Sequence, residues 1–135
     1  MRHTTIQRHE SRSGWSLAVY DDACERAGQL STYDSSVRAH VELATLRVYT
    51  PFRRQGYGTM LMHRVLELYA DEPRDIHLIV VPYRSDDGRT GMSRDQLFEW
   101  YARFGFERAE QEFRRNLMVR GSTCRSSSPT PKILV

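Results

Sequence analysis

Apolar residues follow two different rhythms in this chain, and the change falls at Gly56-Tyr57-Gly58. Before it, Val41, Leu43, Leu46 and Val48 mark a long strand over residues 39–48. After it, Leu61, Met62, Val65, Leu66 and Tyr69 recur at steps of three and four, which is one face of a helix over residues 58–70. Pro73 is expected to stop that helix. A strand that runs through a glycine turn into an amphipathic helix needs a sheet to pack on. The rest of the chain supplies its strands.

Upstream, residues 4–9, 15–20 and 29–33 read as three shorter strands separated by Ser-, Gly- and Asp-rich turns. With the long strand they predict an antiparallel meander. Downstream, the nearly continuous apolar run 76–81 fits a buried strand parallel to 39–48, because a helical crossover precedes it. Residues 83–92 are too hydrophilic for core. Ser93 with Gln96 forms a capping-box pattern, and Leu97, Trp100, Tyr101 and Phe104 trace a second apolar stripe that Gly105 closes. Residues 113–119 predict a last strand, and the Ser/Pro-rich segment 121–135 a mobile tail. The expected fold is α+β: a mixed, mostly antiparallel sheet with flanking helices, one domain over residues 1–120 followed by that tail.

With 135 residues, 39% of them hydrophobic, the chain has material for one modest core. No apolar run approaches the ~20 residues of a membrane span, and the opening Met1-Arg2-His3-Thr4 is no apolar leader. Cys24 and Cys124 are too distant in sequence for a disulfide framework. A cytoplasmic protein without membrane contact is the expectation. The formal charge is +3, and Lys132 is the only lysine among 20 Lys and Arg. The 17 acids are interspersed with the arginines and no basic–aromatic stripe stands out, which argues against nucleic acid. His3, His9, His40, His63 and His77 are scattered and no His-Glu-x-x-His occurs, so no metal is expected.

The chemistry concentrates in Arg53-Arg54-Gln55-Gly56-Tyr57-Gly58. A loop at a helix N-terminus presents backbone N–H groups to an anion, and glycines let a pyrophosphate approach the backbone closely. A solvated turn would read the same from these letters alone. Other phosphate motifs fail: Thr59-Met60 follows where a P-loop needs Lys-Ser/Thr, and Leu61 stands where a dinucleotide fingerprint needs glycine or alanine.

The segment Leu46-Arg47-Val48-Tyr49-Thr50-Pro51-Phe52-Arg53-Arg54-Gln55-Gly56-Tyr57-Gly58 resembles motif A of the GNAT N-acetyltransferase superfamily, Arg/Gln-x-x-Gly-x-Gly/Ala. Tyr101-Ala102-Arg103-Phe104-Gly105-Phe106 resembles its second landmark, a tyrosine-bearing helix closing on Gly-Phe. The resemblance covers roughly residues 5–120. It implies acetyl-CoA as co-substrate, with Arg53, Arg54, Gln55, Gly56, Tyr57 and Gly58 around the pyrophosphate and Leu46 and Val48 along the pantetheine arm. An amide in the Val48 region would then stabilise the thioester oxygen during attack.

Tyr101 matches the family tyrosine that protonates the departing thiolate, and a tyrosine is protonated at neutral pH. As part of the apolar stripe, it also fits a plain core position. Glu42 has the offset from Gly56 at which the histone-acetyltransferase branch carries its general base. Burial in a strand improves a carboxylate as a base; facing solvent, Glu42 is an ordinary strand residue. The two helices that most members place between their first two strands have no room here, since only Ser11-Arg12-Ser13-Gly14 separates the strands. The acceptor side is then either open or completed by another copy in a homodimer, and the 83–92 loop can replace part of the wall. The leading reading is transfer of an acetyl group to an amine on a peptide, a protein or a large metabolite. A member that binds acyl-CoA without turnover is the alternative, together with a nucleic-acid-associated regulator.

Overall fold

The computed structural model describes residues 3–8, 13–53, 55–81, 92–110 and 114–122. Seven strands of the described residues form one sheet, in which the last two strands in sequence exchange places. The meander comprises β1 (His3–Arg8), β2 (Trp15–Tyr20), β3 (Arg26–Tyr33) and β4 (Val41–Val48), each antiparallel to the one before. Helix α1 (Tyr57–Leu68) crosses over to β5 (Ile76–Ile79), which pairs with β4 in parallel, as the crossover requires. Helix α2 (Arg94–Ala102) leads to β6 (Glu107–Arg108) and β7 (Leu117–Arg120), both antiparallel to their neighbours. The mixed sheet with two helices is the fold expected from the sequence. β1 and β2 are adjacent partners, with Arg8 opposite Trp15, and no described helix lies between them.

Boundaries moved by local causes. Helix α1 ends on Tyr69, well short of Pro73, because the backbone leaves helical geometry there (φ −105°, ψ 19°). The third strand starts at Arg26, earlier than its apolar residues suggest, since Ala27 and Gly28 pack in the core. The last strand begins at Leu117, and residue 113 lies outside the described residues together with 82–91 and 123–135. The reciprocal capping box is present: the Gln96 N–H donates to Ser93 Oγ at 3.2 Å, and the Ser93 N–H to Gln96 Oε1 at 2.8 Å.

Both helices lie on one face of the sheet. Leu61, Met62 and Val65 of α1 and Phe98 and Tyr101 of α2 join Leu17, Val19, Leu30, Leu43 and Leu78 in a single core. Each such aliphatic side chain contributes about 1.5–3 kcal/mol on burial. Alternation sends Ser16, Ala18, Gln29, Ser31, Thr45 and Glu42 to the other face, and none of them belongs to that core. Gly14 secures the β2 end of this arrangement: a Cβ there would sit 1.9 Å from the Thr32 carbonyl oxygen.

Candidate active site

A break in the sheet makes the site. β4 and β5 pair only at Val41–Ile76, Glu42–His77 and Leu43–Leu78. Beyond these, β5 turns to β7, where Val80 N–H donates to the Asn116 carbonyl at 2.9 Å. On the other side of β4, Leu43 faces Thr32 but Thr45 faces Ser31, so Ala44 is an extra, bulged residue. A bulge bends its strand and adds twist, which swings the second half of β4 away from β5. The gap is a cleft of about 130 Å³ bordered by Glu42, Ala44, Leu46, Leu78, Ile79 and Tyr101.

Three of the sequence candidates therefore meet in one place. Leu46 brings strand backbone to the cleft, Glu42 lies at its closed end, and Tyr101 reaches it from α2. Tyr101 is 8% exposed and edge-on to Trp100 and Phe106, with ring centroids 5.1 and 6.1 Å away. It belongs both to the apolar core and to the cleft wall.

Val48 stands between the cleft and the glycine loop. Its carbonyl accepts a hydrogen bond from Arg53 Nε at 3.2 Å, so Arg53 ties the loop to the strand end. Gln55 Nε2 similarly donates to the Pro51 carbonyl at 3.3 Å. Gly56 takes the left-handed conformation (φ 86°) and opens α1 with no side-chain cap. The first helical bond runs from Met60 N–H to the Gly56 carbonyl at 3.0 Å, which leaves the amides of Gly58 and Thr59 without an intrahelical acceptor. The Tyr57 side chain points into the core, 3% exposed and edge-on to Phe52. Gly58 is small because Trp100 occupies the space of a side chain, 3.3 Å from a Cβ position. Arg54 lies outside the described residues.

Glu42 is embedded in a cluster that the sequence did not announce. His40 Nε2 lies 3.1 Å from its Oε1 and Arg114 Nη2 3.6 Å from the same oxygen. The His40 and His77 rings stack at 3.8 Å, and Arg114 Nη1 approaches His77 Nδ1 at 3.3 Å. A guanidinium only donates, so His77 Nδ1 is the acceptor and its proton sits on Nε2. Burial, then the neighbouring His40 and Arg114 charges, lower the His77 pKa from the ordinary 6.5. Among the described residues, no cluster of His, Cys, Asp and Glu could hold a metal ion, and no helix is long and apolar enough to cross a membrane.

An open strand edge beside an uncapped helix start is a geometry with known relatives. The family model described as "Acetyltransferase (GNAT) family" matches residues 2–106. The chain belongs to the GNAT acetyltransferase family. Solved GNAT-type structures share its fold at low identity. The PaiA N-acetyltransferase of Thermoplasma acidophilum, solved with coenzyme A, is 15% identical over 78% of this chain and 59% of its own, with a TM-score of 0.56. A GNAT acetyltransferase of Staphylococcus aureus is 13% identical over 79% of this chain and 66% of its own (TM-score 0.58). The anti-CRISPR protein AcrVA5 is 22% identical over 77% of this chain and 96% of its own (TM-score 0.55). The chain spans little more than half the length of the first of these. No curated protein matches the chain in sequence.

The bulge, the feature that opens this GNAT cleft, had a signal in the sequence. The two-residue alternation of Val41 and Leu43 resumes one residue late at Leu46 and Val48. His40, His77 and Arg114 gave none, because register across the sheet joins residues far apart in the chain.

Proposed function

We propose that this GNAT domain transfers an acetyl group from acetyl-CoA to an amine by direct attack, in a reducing cytoplasm where the exposed Cys24 stays a thiol. The observation that carries the reading is the single cleft bordered by Leu46, Glu42 and Tyr101 at the point where β4 leaves β5. The residues present fit the co-substrate. Past Leu43 the β5-facing edge of β4 has no strand partner among the described residues and can pair with the amides of a pantetheine arm. The Gly58 and Thr59 amides at the start of α1 suit the pyrophosphate.

Acetyl-CoA supplies the activated acyl group; the protein positions, polarises and moves protons. Backbone N–H of Leu46, on the open edge, stabilises the negative charge that gathers on the carbonyl oxygen as the amine attacks. The C–N bond forms, the C–S bond breaks, the sulfur takes the Tyr101 hydroxyl proton, and the second amine proton, released as the amide forms, passes through solvent and restores the Tyr101 phenol. Glu42 accepts the proton that the incoming ammonium sheds. Arg53 keeps the loop docked on β4, and Gln55 braces the loop through the Pro51 carbonyl.

Thermal unfolding in acetyl-CoA, combined with an acceptor screen that reports free thiol, tests this. A saturating ligand at a hundred times its Kd stabilises by about 2.7 kcal/mol. Gly56→Glu, a carboxylate against the phosphate position, should erase that shift, and circular dichroism checks that the variant still folds. A shift without thiol release for any amine would favour the reading as an acyl-CoA-binding member without turnover. No shift at all would remove the co-substrate.

A further inference from the structure

On the face opposite the helices the strands β2 to β5 carry one acid among the described residues, Glu42; Asp75, just before β5, is a second acid near His77, and several arginines stand around them. Arg47 lies on this face by register with Gln29 and Ala18. Arg26 reaches the same row through a hydrogen bond to Gln29 Oε1 at 2.9 Å. Arg38 lies over the Tyr33 ring, 5.6 Å from its centroid, and Tyr33 faces Glu42 in the sheet. Arg114 stands 3.6 Å from Glu42 itself. The side chains between them include Ser16, Ser31, Thr45 and Gln29, which can hydrogen-bond, and the small Ala18.

This pattern constrains the acceptor. An ammonium that docks on Glu42 comes close to the Arg114 guanidinium. Two like charges that close repel, and more strongly near a protein surface than in bulk water. An acceptor that brings its own carboxylates turns that repulsion into attraction at Arg114 and again at Arg38, Arg47 and Arg26. Four strands at ~4.8 Å spacing make this face roughly 14 Å wide, which is broader than a free amino acid and suited to an extended peptide. A nucleic acid would meet the arginines but offers no aliphatic ammonium for Glu42.

We infer that the acceptor is a lysine in an acidic stretch of polypeptide, its ammonium on Glu42 and its flanking carboxylates on Arg114, Arg38, Arg47 and Arg26. The inference rests on the acetyl-transfer reading for its chemistry and on this charge pattern for its specificity.

The test uses a nine-residue peptide with one lysine flanked by glutamates, its glutamine and arginine counterparts, free glutamate, and a single-stranded oligonucleotide of equal length. Binding is read by fluorescence anisotropy, with the unlabelled glutamate as competitor, and transfer by thiol release with acetyl-CoA. The acidic peptide should bind about tenfold or more tightly than the glutamine peptide, weaken as salt rises, and be acetylated fastest. Arg26→Gln with Arg47→Gln should reduce its affinity several-fold while leaving the acetyl-CoA thermal shift unchanged. Equal binding of the three peptides would overturn the inference. So would glutamate that competes as well as the peptide, or an oligonucleotide bound as tightly with the same arginine dependence. The acidic preference in binding without thiol release from any peptide would support the surface and count against turnover, so the two readings fail separately.

Discussion

The Tyr69 hydroxyl donates to Asp34 Oδ2 at 3.0 Å, joining the end of α1 to the loop that follows β3. The Tyr69 hydroxyl oxygen lies 2.6 Å from Thr32 Oγ1, which accepts the Trp15 N–H at 2.9 Å. Because Tyr69 spends its proton on Asp34, Thr32 donates to Tyr69, and the chain of protons runs one way from β2 to the carboxylate. Thr32 and Asp34 are 1% and 8% exposed, so water does not substitute readily for a lost partner.

Tyr69→Phe should therefore destabilise the fold by about 1–3 kcal/mol, since two buried groups lose a partner at once. Urea unfolding measures this. An unchanged midpoint would show that the two groups rebond to each other or to water.

Gly14→Ala should cost about 3 kcal/mol or more, because the new Cβ meets the Thr32 carbonyl at 1.9 Å, and that carbonyl is backbone of the sheet. Differential scanning calorimetry should show a large drop in Tm. Gly121→Ala is the control, since a Cβ there meets nothing within 4 Å.

Tyr101→Phe should lower kcat roughly 10²–10⁴-fold if its hydroxyl protonates the leaving sulfur, with little change in acetyl-CoA affinity because the ring packing is kept. Normal turnover would leave Tyr101 as a core residue alone.

Glu42→Gln should depress the rate most at low pH, with activity returning as the acceptor amine deprotonates in solution. A loss that is the same at every pH would make Glu42 a docking group for the acceptor.

His77 gives stability a pH dependence of defined sign. Its folded pKa lies below the ordinary 6.5, so within that window the unfolded chain binds a proton that the folded chain rejects. Its contribution is complete above about 6.5 and falls as pH drops through the window. The groups facing it are His40, Glu42, Asp75 and Arg114. Thermal melts between pH 5 and pH 8, roughly centred on the ordinary His value, should show a slope that His77→Gln flattens. An identical slope in the variant would show that the effect does not come from His77.

The helices, the meander and the crossover were legible because each is a local pattern of apolar spacing and capping. Ser93 and Gln96 satisfy each other through local contacts that their sequence positions already imply. β6 was not legible, since two exposed residues carry no periodicity. Phe98 is buried while Leu97 is only partly so, because the face that α2 turns inward is set by packing partners distant in sequence, Arg108 of β6 over the Phe98 ring among them, and not by the stripe. In the site, Glu42, Leu46 and Tyr101 were found through spacing and resemblance. The opening that gathers them was missed, because it depends on where pairing stops. Pairing is a property of two strands, and the sequence displays one at a time.

The halt in pairing also has a mechanical consequence. Among the described residues the seven strands make one sheet, yet β1 to β4 and the trio β5, β7, β6 are held edge to edge by only three rungs, Val41 to Leu43 against Ile76 to Leu78. Twist between the two plates concentrates at those rungs, where Glu42 and His77 lie opposite each other. A molecule hydrogen-bonded along the open edge of β4 lengthens the seam and stiffens it, so filling the cleft and bracing the sheet become the same event.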